Sequence, residues 1–183
     1  GVIYAKEKNF PKAIEEWGIA SKLDSKDQSI LNSLAWAYEK IGKKKEALVK
    51  LDQSIKLSAY DPKAHFSLGR IKHDLGDSDG AIDSLKKATR LDPNFGDAYY
   101  RLGLAYDSQY QGYDSISSLM IAEIVYHKAR KADFLEKTRT EMKTLFGKYQ
   151  IKRSDFRDLQ VPETLKGYDL HKRPNQIRTS KQK

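Results

Sequence analysis

The sequence predicts an all-α protein, a solenoid of stacked antiparallel helix pairs, on two observations. The first is an internal repeat of 34 residues that keeps small and large residues at fixed positions. The second is the placement of Gly and Pro between segments of helical length, as at Gly42, Gly76 and Pro62. The chain has 183 residues, of which 39% are hydrophobic. This length and composition fit one domain, or one domain with an appendage.

Six columns of residues stay in register along the repeat. Small residues at fixed positions allow two helices to cross closely, and the large residues fill the space between helix pairs. The columns are Gly1, Ala35, Gly69 and Gly103; Tyr4, Tyr38, Lys72 and Tyr106; Ala13, Ala47, Ala81 and Ser115; Trp17, Leu51, Leu85 and Leu119; Ala20, Ser54, Ala88 and Ala122; and Leu34, Leu68 and Leu102.

On these columns, residues 1–129 resemble the tetratricopeptide repeat family, whose 34-residue motif alternates small and large residues in this order. The resemblance implies a right-handed superhelix of about four repeats, with complete repeats at 28–61, 62–95 and 96–129. Because Gly1 already occupies the small-residue column, we expect a truncated first repeat and further repeats before it in a longer protein. The departures from the motif are Lys72, Ser115, Ser25, Ala59 and His127.

Helices are predicted in each repeat and after the last one. The repeat helices are expected over 11–23, 28–41, 44–57, 62–75, 78–91, 96–109 and 113–127. Asp133 and Glu136 have the spacing of a helix start, and an apolar stripe then runs to Phe146 before Gly147. Since a stacked array needs a terminal element with one polar face, segment 130–147 is predicted to hold a capping helix over 133–146.

The end of the chain, residues 148–183, is predicted to be a basic, partly extended tail. It holds ten of the 34 basic residues and four of the 25 acidic ones, which is +6 of the total net charge of +9. Such a tail favours a polyanion or an acidic protein surface, or serves as a solubilising terminus. Apolar residues such as Phe156 and Leu165 suggest that part of it lies against the repeats.

The resemblance implies a concave groove, lined by the first helix of each repeat, which holds an extended peptide or a partner helix. Trp36, Phe66 and Tyr100 are the expected anchors of a partner, because aromatic side chains supply much of the energy in interfaces. Alternatively, these rings pack first helices against each other. Helical phase predicts the groove residues Asn32, Trp36, Lys63, Phe66, Arg70, His73, Tyr100, Arg101 and Leu104.

Other sequence features argue against catalysis and against one known binding mode. Asp97 and Ser67 stand where the family's carboxylate clamp for chaperone tails requires Lys and Asn. There is no Cys, phosphate loop, GxSxG or HExxH motif, so we predict no enzyme activity, no cofactor and no metal site. His65 is expected in the core. No run of apolar residues reaches the length of a membrane span.

We therefore predict a non-catalytic interaction scaffold or adaptor that binds a protein partner in its groove, as a subunit of a larger assembly. The alternative is a nucleic-acid-binding repeat protein that uses its basic tail, with a salt-dependent affinity. Self-association through the open end of the solenoid is a third possibility. The absence of Cys fits a cytoplasmic or a periplasmic location, and the Lys-rich composition favours a bacterial origin.

Overall fold

The computed structural model describes residues 1–166, which form nine α-helices and two 3₁₀ turns and contain no strand. The all-α helical-repeat prediction is confirmed, while the handedness of the superhelix stays a prediction. Residues 167–183, which belong to the predicted basic tail, lie outside the described residues. The helices are α1 (Val2–Lys6), α2 (Phe10–Leu23), α3 (Gln28–Lys40), α4 (Lys44–Leu57), α5 (Pro62–Asp74), α6 (Ser78–Leu91), α7 (Gly96–Asp107), α8 (Gly112–Lys128) and α9 (Ala132–Tyr149), followed by 3₁₀ turns at Arg153–Phe156 and Glu163–Leu165.

Local signals explain where these helices begin and end. The side chain of Asp27 accepts hydrogen bonds from the backbone N–H groups that open α3, and Asp61, one period later, does the same for α5. Pro62 occupies the first turn of α5, where a missing N–H group is tolerated. Gly42 and Gly76 have φ values of +80° and +85°, which few other residues adopt, and they form the turns inside two repeats.

The first compact unit spans Gly1–Leu91. Its helices pack in sequence, with α3 on α4 and α5 on α6. The small column allows these helices to approach closely: a Cβ atom added at Gly69 would lie 2.6 Å from Cγ of Leu85. The core cluster of α3, α4 and α5 consists of Ala35, Ala47, Leu51, Ala64, Leu68 and Ile71.

The second unit begins at Asp92 and contains α7, α8 and α9. The same close approach recurs, because a Cβ atom at Gly103 would lie 2.8 Å from Cγ of Leu119. Ser115, a departure from the motif, is fully buried and donates a hydrogen bond of 2.8 Å to the carbonyl oxygen of Gly103. A hydroxyl in an Ala column is thus satisfied by the neighbouring helix.

Helix α9 and the segment that follows it complete the second unit. Thr138, Met142 and Leu145 are the buried residues of α9, which packs on α8. Residues 150–166, here called the C-terminal strap, continue from α9 and bury the side chains of Phe156 and Leu165 completely. Within the described residues, no helix is both long and apolar enough to cross a membrane.

Candidate partner-binding site

A cleft of about 160 Å³ opens in the first unit between α3 and α5. Leu51 and Ile71 are buried at its base, and polar and charged side chains surround its apolar interior. This combination of an apolar interior and a polar rim is typical of binding sites. The lining residues are Asn32, Ala35, Trp36, Glu39, Leu51, Asp61, Lys63, Ala64, Ser67 and Ile71.

Trp36 is the large exposed aromatic residue of this cleft, with 40% of its surface accessible. Phe10 packs on it edge to face, with ring centroids 5.2 Å apart and an interplanar angle of 82°. The ammonium group of Lys40 lies 5.8 Å from the ring centroid. These contacts fix the orientation of the indole while leaving part of its surface exposed.

Asn32 lines the cleft but uses both ends of its amide within the chain. Its Nδ2 donates to Oδ2 of Asp61 at 2.9 Å, and its Oδ1 accepts from the hydroxyl of Ser54 at 2.7 Å. The other oxygen of Asp61 accepts from the backbone N–H of Lys63 at 2.9 Å. Asn32 thereby connects α3, α4 and the start of α5, and it holds the walls of the cleft in place.

Arg70 forms a bidentate ion pair with Glu39, which joins α5 to α3. Its guanidinium carbon also lies 6.0 Å from the ring centroid of Phe66. The hydrogen bond to Glu39 raises the pKa of Arg70 above its ordinary value, against the opposing effect of burial. Arg70 therefore has an intramolecular partner, and its charge is compensated before any ligand binds.

The remaining predicted residues of the first unit lie on α5. Lys63, in the first turn, is exposed and lines the cleft. Phe66 and His73 are half-buried and lie outside the set that lines it. Sequence reasoning missed Glu39, Asp61 and Ser67. The spacing of Glu39 at seven residues from Asn32, and of Ser67 at four from Lys63, places both on the faces already predicted.

In the second unit, Tyr100 is only 8% exposed and belongs to the core. The ammonium group of Lys137 on α9 lies 5.1 Å from its ring centroid. Burial raises the pKa of the Tyr100 hydroxyl, with a further contribution from Glu141. Arg101 and Leu104 are half-buried, and Leu104 packs against the same core. Little of the Tyr100 ring is therefore accessible to a partner.

The described residues contain no group of three or more His, Asp or Glu placed to hold a metal ion. His65 is 4% exposed, and its Nε2 lies 2.9 Å from the carbonyl oxygen of Ala59. It is a core residue, as predicted. Chemically, the arrangement on α3 and α5 offers an apolar recess with an indole and charged groups at its rim, which suits recognition of side chains.

The repeated helix pairs define an all-α helical-repeat protein, and comparisons with known proteins specify the repeat. Residues 69–109 match a family model described as TPR repeat, the tetratricopeptide repeat. Together with the fold and the columns along the chain, this match supports the predicted resemblance to the tetratricopeptide repeat family. The resemblance is confirmed over the matched residues. No curated protein sequence matched the chain.

Solved structures show the same fold at low sequence identity. A crystal structure of MamA protein is 23% identical, has a TM-score of 0.66, and aligns over 88% of this chain and 94% of its own. The type III secretion translocator chaperone SycD of Yersinia enterocolitica is 19% identical, with a TM-score of 0.65, over 70% of this chain and 89% of its own. A T3SS complex from Aeromonas hydrophila is 16% identical, with a TM-score of 0.66, over 73% and 90%.

Proposed function

We propose that this protein is a non-catalytic interaction scaffold or adaptor that binds an extended peptide or a helix of a partner protein. The observation that supports this most directly is the exposed Trp36 beside an apolar cleft on α3 and α5. A partly exposed indole next to a recess of this size is typical of a position that a partner side chain covers.

The chemistry of the cleft suggests how a partner would be held. An apolar side chain of the partner enters the recess beside Trp36, and Lys63 at the rim pairs with an acidic group next to it. Each desolvated anchor of this kind contributes on the order of 2 kcal/mol to binding. In the second unit, Arg101 and Leu104 are the proposed contacts, and Tyr100 supports them from the core.

Membership of a larger assembly is part of the proposal. A translocator chaperone and a secretion complex are among the structures with this fold, and both descriptions imply protein partners for those proteins. We therefore extend only one property to this chain: that it binds a protein, either another protein or a second copy of itself. The Asp61 carboxylate at the cleft argues for protein rather than nucleic acid as the occupant of this site.

Photo-cross-linking tests the location of the site. A photoreactive amino acid is placed at Lys63 in the full chain, and a matched one at Lys87, an exposed position on α6 of the same unit. We expect a specific protein adduct from the native cell lysate at Lys63 and none of the same identity at Lys87. Equal labelling at the two positions would contradict the proposed site.

Binding measurements with the purified partner then test the anchor. Trp36→Ala should weaken the affinity at least tenfold by calorimetry, while Val49→Ala, which removes an exposed apolar side chain from α4, should leave it unchanged. Circular dichroism of each variant separates loss of binding from loss of fold. An unchanged affinity in Trp36→Ala would refute the role of the indole.

A further inference from the structure

The C-terminal strap lies on α8 and α9 in the way that a bound peptide lies on a protein surface. Its backbone hydrogen bonds at Asp155, Leu159 and Leu165 are to other strap residues. Two hydrogen bonds that join it to α8 each use a side chain: Arg153 to Glu123, and Lys128 to the carbonyl oxygen of Thr164. The strap is thus joined to α8 by side-chain hydrogen bonds rather than by backbone pairing.

Phe156 is the main apolar anchor of the strap, and it is fully buried. Its ring stacks on Tyr113 of α8, with centroids 4.5 Å apart and an interplanar angle of 17°. It also meets Phe146 of α9 edge to face at 6.3 Å. Leu165, nine residues later, is the second anchor and is equally buried. Burial of these two apolar side chains favours the attached state of the strap.

Glu123 gives the same face a specific charge. This carboxylate on α8 is 4% exposed, so it requires cationic or hydrogen-bonding partners. Arg139 of α9 donates to its Oε1 at 2.8 Å, and Arg153 of the strap donates to its Oε2 at 2.8 Å. Arg139 belongs to α9, whereas Arg153, the partner of Oε2, belongs to the strap. The face therefore selects a segment with an Arg at this point.

We propose that this face of α8 and α9 is a peptide-binding surface, which the strap occupies in cis and from which a partner segment of the same pattern displaces it. The pattern is an Arg three residues before an aromatic side chain, with a Leu nine residues after the aromatic one. This surface lies in the second unit and is independent of the cleft on α3 and α5. A tether of this length holds the strap at a millimolar effective concentration, so the bound strap masks the surface.

The test uses the full chain and a fluorescently labelled synthetic peptide of residues 150–166 as the probe. Phe156→Ala and Arg153→Glu weaken the attachment of the strap in cis and open the surface. Arg157→Glu is the matched control, because it makes the same charge change at an exposed position of the strap. Fluorescence anisotropy should show at least tenfold tighter binding of the probe to the two opened variants than to wild type or to the Arg157→Glu chain.

Variants of the probe identify the anchors on the opened chain. A peptide with Phe156→Ala or Arg153→Glu should bind at least tenfold more weakly than the unaltered peptide, and a peptide with Arg157→Glu should bind equally well. Light scattering should show a monomer that carries one peptide.

Three results would overturn the proposal. The first is binding to the opened variants that is no tighter than to wild type. The second is loss of helical circular dichroism in those variants, which would make the strap an integral part of the fold. The third is a dimer of an opened variant that added peptide does not dissociate, which would show that a second copy covers this face.

Discussion

The two units of this protein are built from the same 34-residue repeat, yet they use the first helix of the repeat differently. Phe66 and Tyr100 are one period apart and occupy equivalent positions on α5 and α7. Phe66 is half-buried on the helix that forms one wall of the cleft, whereas Tyr100 is 8% exposed and part of a core. Equivalent positions in a repeat are therefore not equivalent in burial.

The elements that follow the last repeat explain this difference. In the second unit, α9 and the strap add Met142, Leu145, Phe156 and Leu165 to one continuous cluster with Tyr100. In the first unit, α3 and α5 meet through the Glu39–Arg70 ion pair and leave a recess beside Trp36. The burial of an aromatic residue at a given position of the repeat thus depends on what is packed over it.

The largest effect is expected when Glu123 of the second unit loses both of its ion-pair partners, Arg139 and Arg153. The double substitution Arg139→Met and Arg153→Met removes both guanidinium groups, keeps a flexible apolar side chain at each position, and leaves Glu123 buried and unpaired. We expect a loss of about 3–5 kcal/mol in the free energy of unfolding, because a buried carboxylate without partners is severely destabilising. Chemical denaturation followed by circular dichroism measures this loss, and hydrogen exchange should locate it in residues 92–166.

Adding Glu123→Gln to that double variant provides the control. A neutral amide is far less costly to bury than a carboxylate, so the triple variant should recover part of the lost stability. A triple variant as unstable as the double one would show that the loss comes from packing of the two Arg side chains. The ion pairs of Glu123 with Arg139 and Arg153 would then contribute little to stability.

The second prediction compares the two equivalent aromatic positions. Tyr100→Ala should reduce the free energy of unfolding by about 3 kcal/mol, as for other large aromatic side chains removed from a core. The loss in the free energy of unfolding for Phe66→Ala should be smaller than that for Tyr100→Ala by at least about 1 kcal/mol, since part of the Phe66 ring already faces water. Denaturation of the two single variants measures the difference. Equal losses would mean that Phe66 is as structural as Tyr100.

Much of the fold follows from the sequence, because helix boundaries and small-residue columns are encoded at short range. The helices within the repeats agree with the predicted bounds to within two residues. The pairings that shape the cleft, such as Asn32 with Asp61, join residues 29 positions apart. They depend on how closely two helices approach, which the columns indicate only coarsely.

The candidate site was predictable to a smaller extent. Helical phase placed Trp36 and Lys63 on one face, and both line the cleft, but it could not show that Arg70 is paired with Glu39. The burial of Tyr100 depends on α9, and the burial of Phe156 depends on how the strap folds back. Such contacts are tertiary, so a pattern within one helix carries no information about them.

The third prediction addresses a feature that the two units share. Gly69→Ala and Gly103→Ala should each destabilise the protein by about 1 kcal/mol, because the gain in helix propensity is smaller than the cost of overpacking. The added Cβ would lie 3.0 Å from the backbone oxygen of Ala81 in one case and of Ser115 in the other. Thermal denaturation of both variants should give similar shifts. A large difference between the two shifts would show that the helix pairs of the two units do not tolerate an added methyl group equally.

The smallest effect concerns the pH dependence of an ion pair near the surface of the second unit. Oδ1 of Asp107 accepts hydrogen bonds of 2.7 Å from Lys148 and from the hydroxyl of Tyr149, which join the end of α7 to the end of α9. Burial alone would raise the pKa of Asp107, but the bonds from Lys148 and Tyr149 outweigh it and lower the pKa below its ordinary value. The ionised form is therefore favoured in the folded state.

A lowered carboxyl pKa stabilises the fold above the ordinary Asp value of about 3.9, and this stabilisation disappears as the pH falls through the lowered value. Asp107→Asn removes it, so the gap in stability between wild type and variant should be constant from pH 7 to about pH 5 and narrow below about pH 4. Urea denaturation across this range measures the gap. In the first unit, Asp74 pairs with Lys44 at 3.3 Å, and Asp74→Asn is the matched comparison. Asp74→Asn should lower the free energy of unfolding at pH 7 by less than Asp107→Asn does. Equal losses would mean that the hydrogen bond from Tyr149 adds no stability.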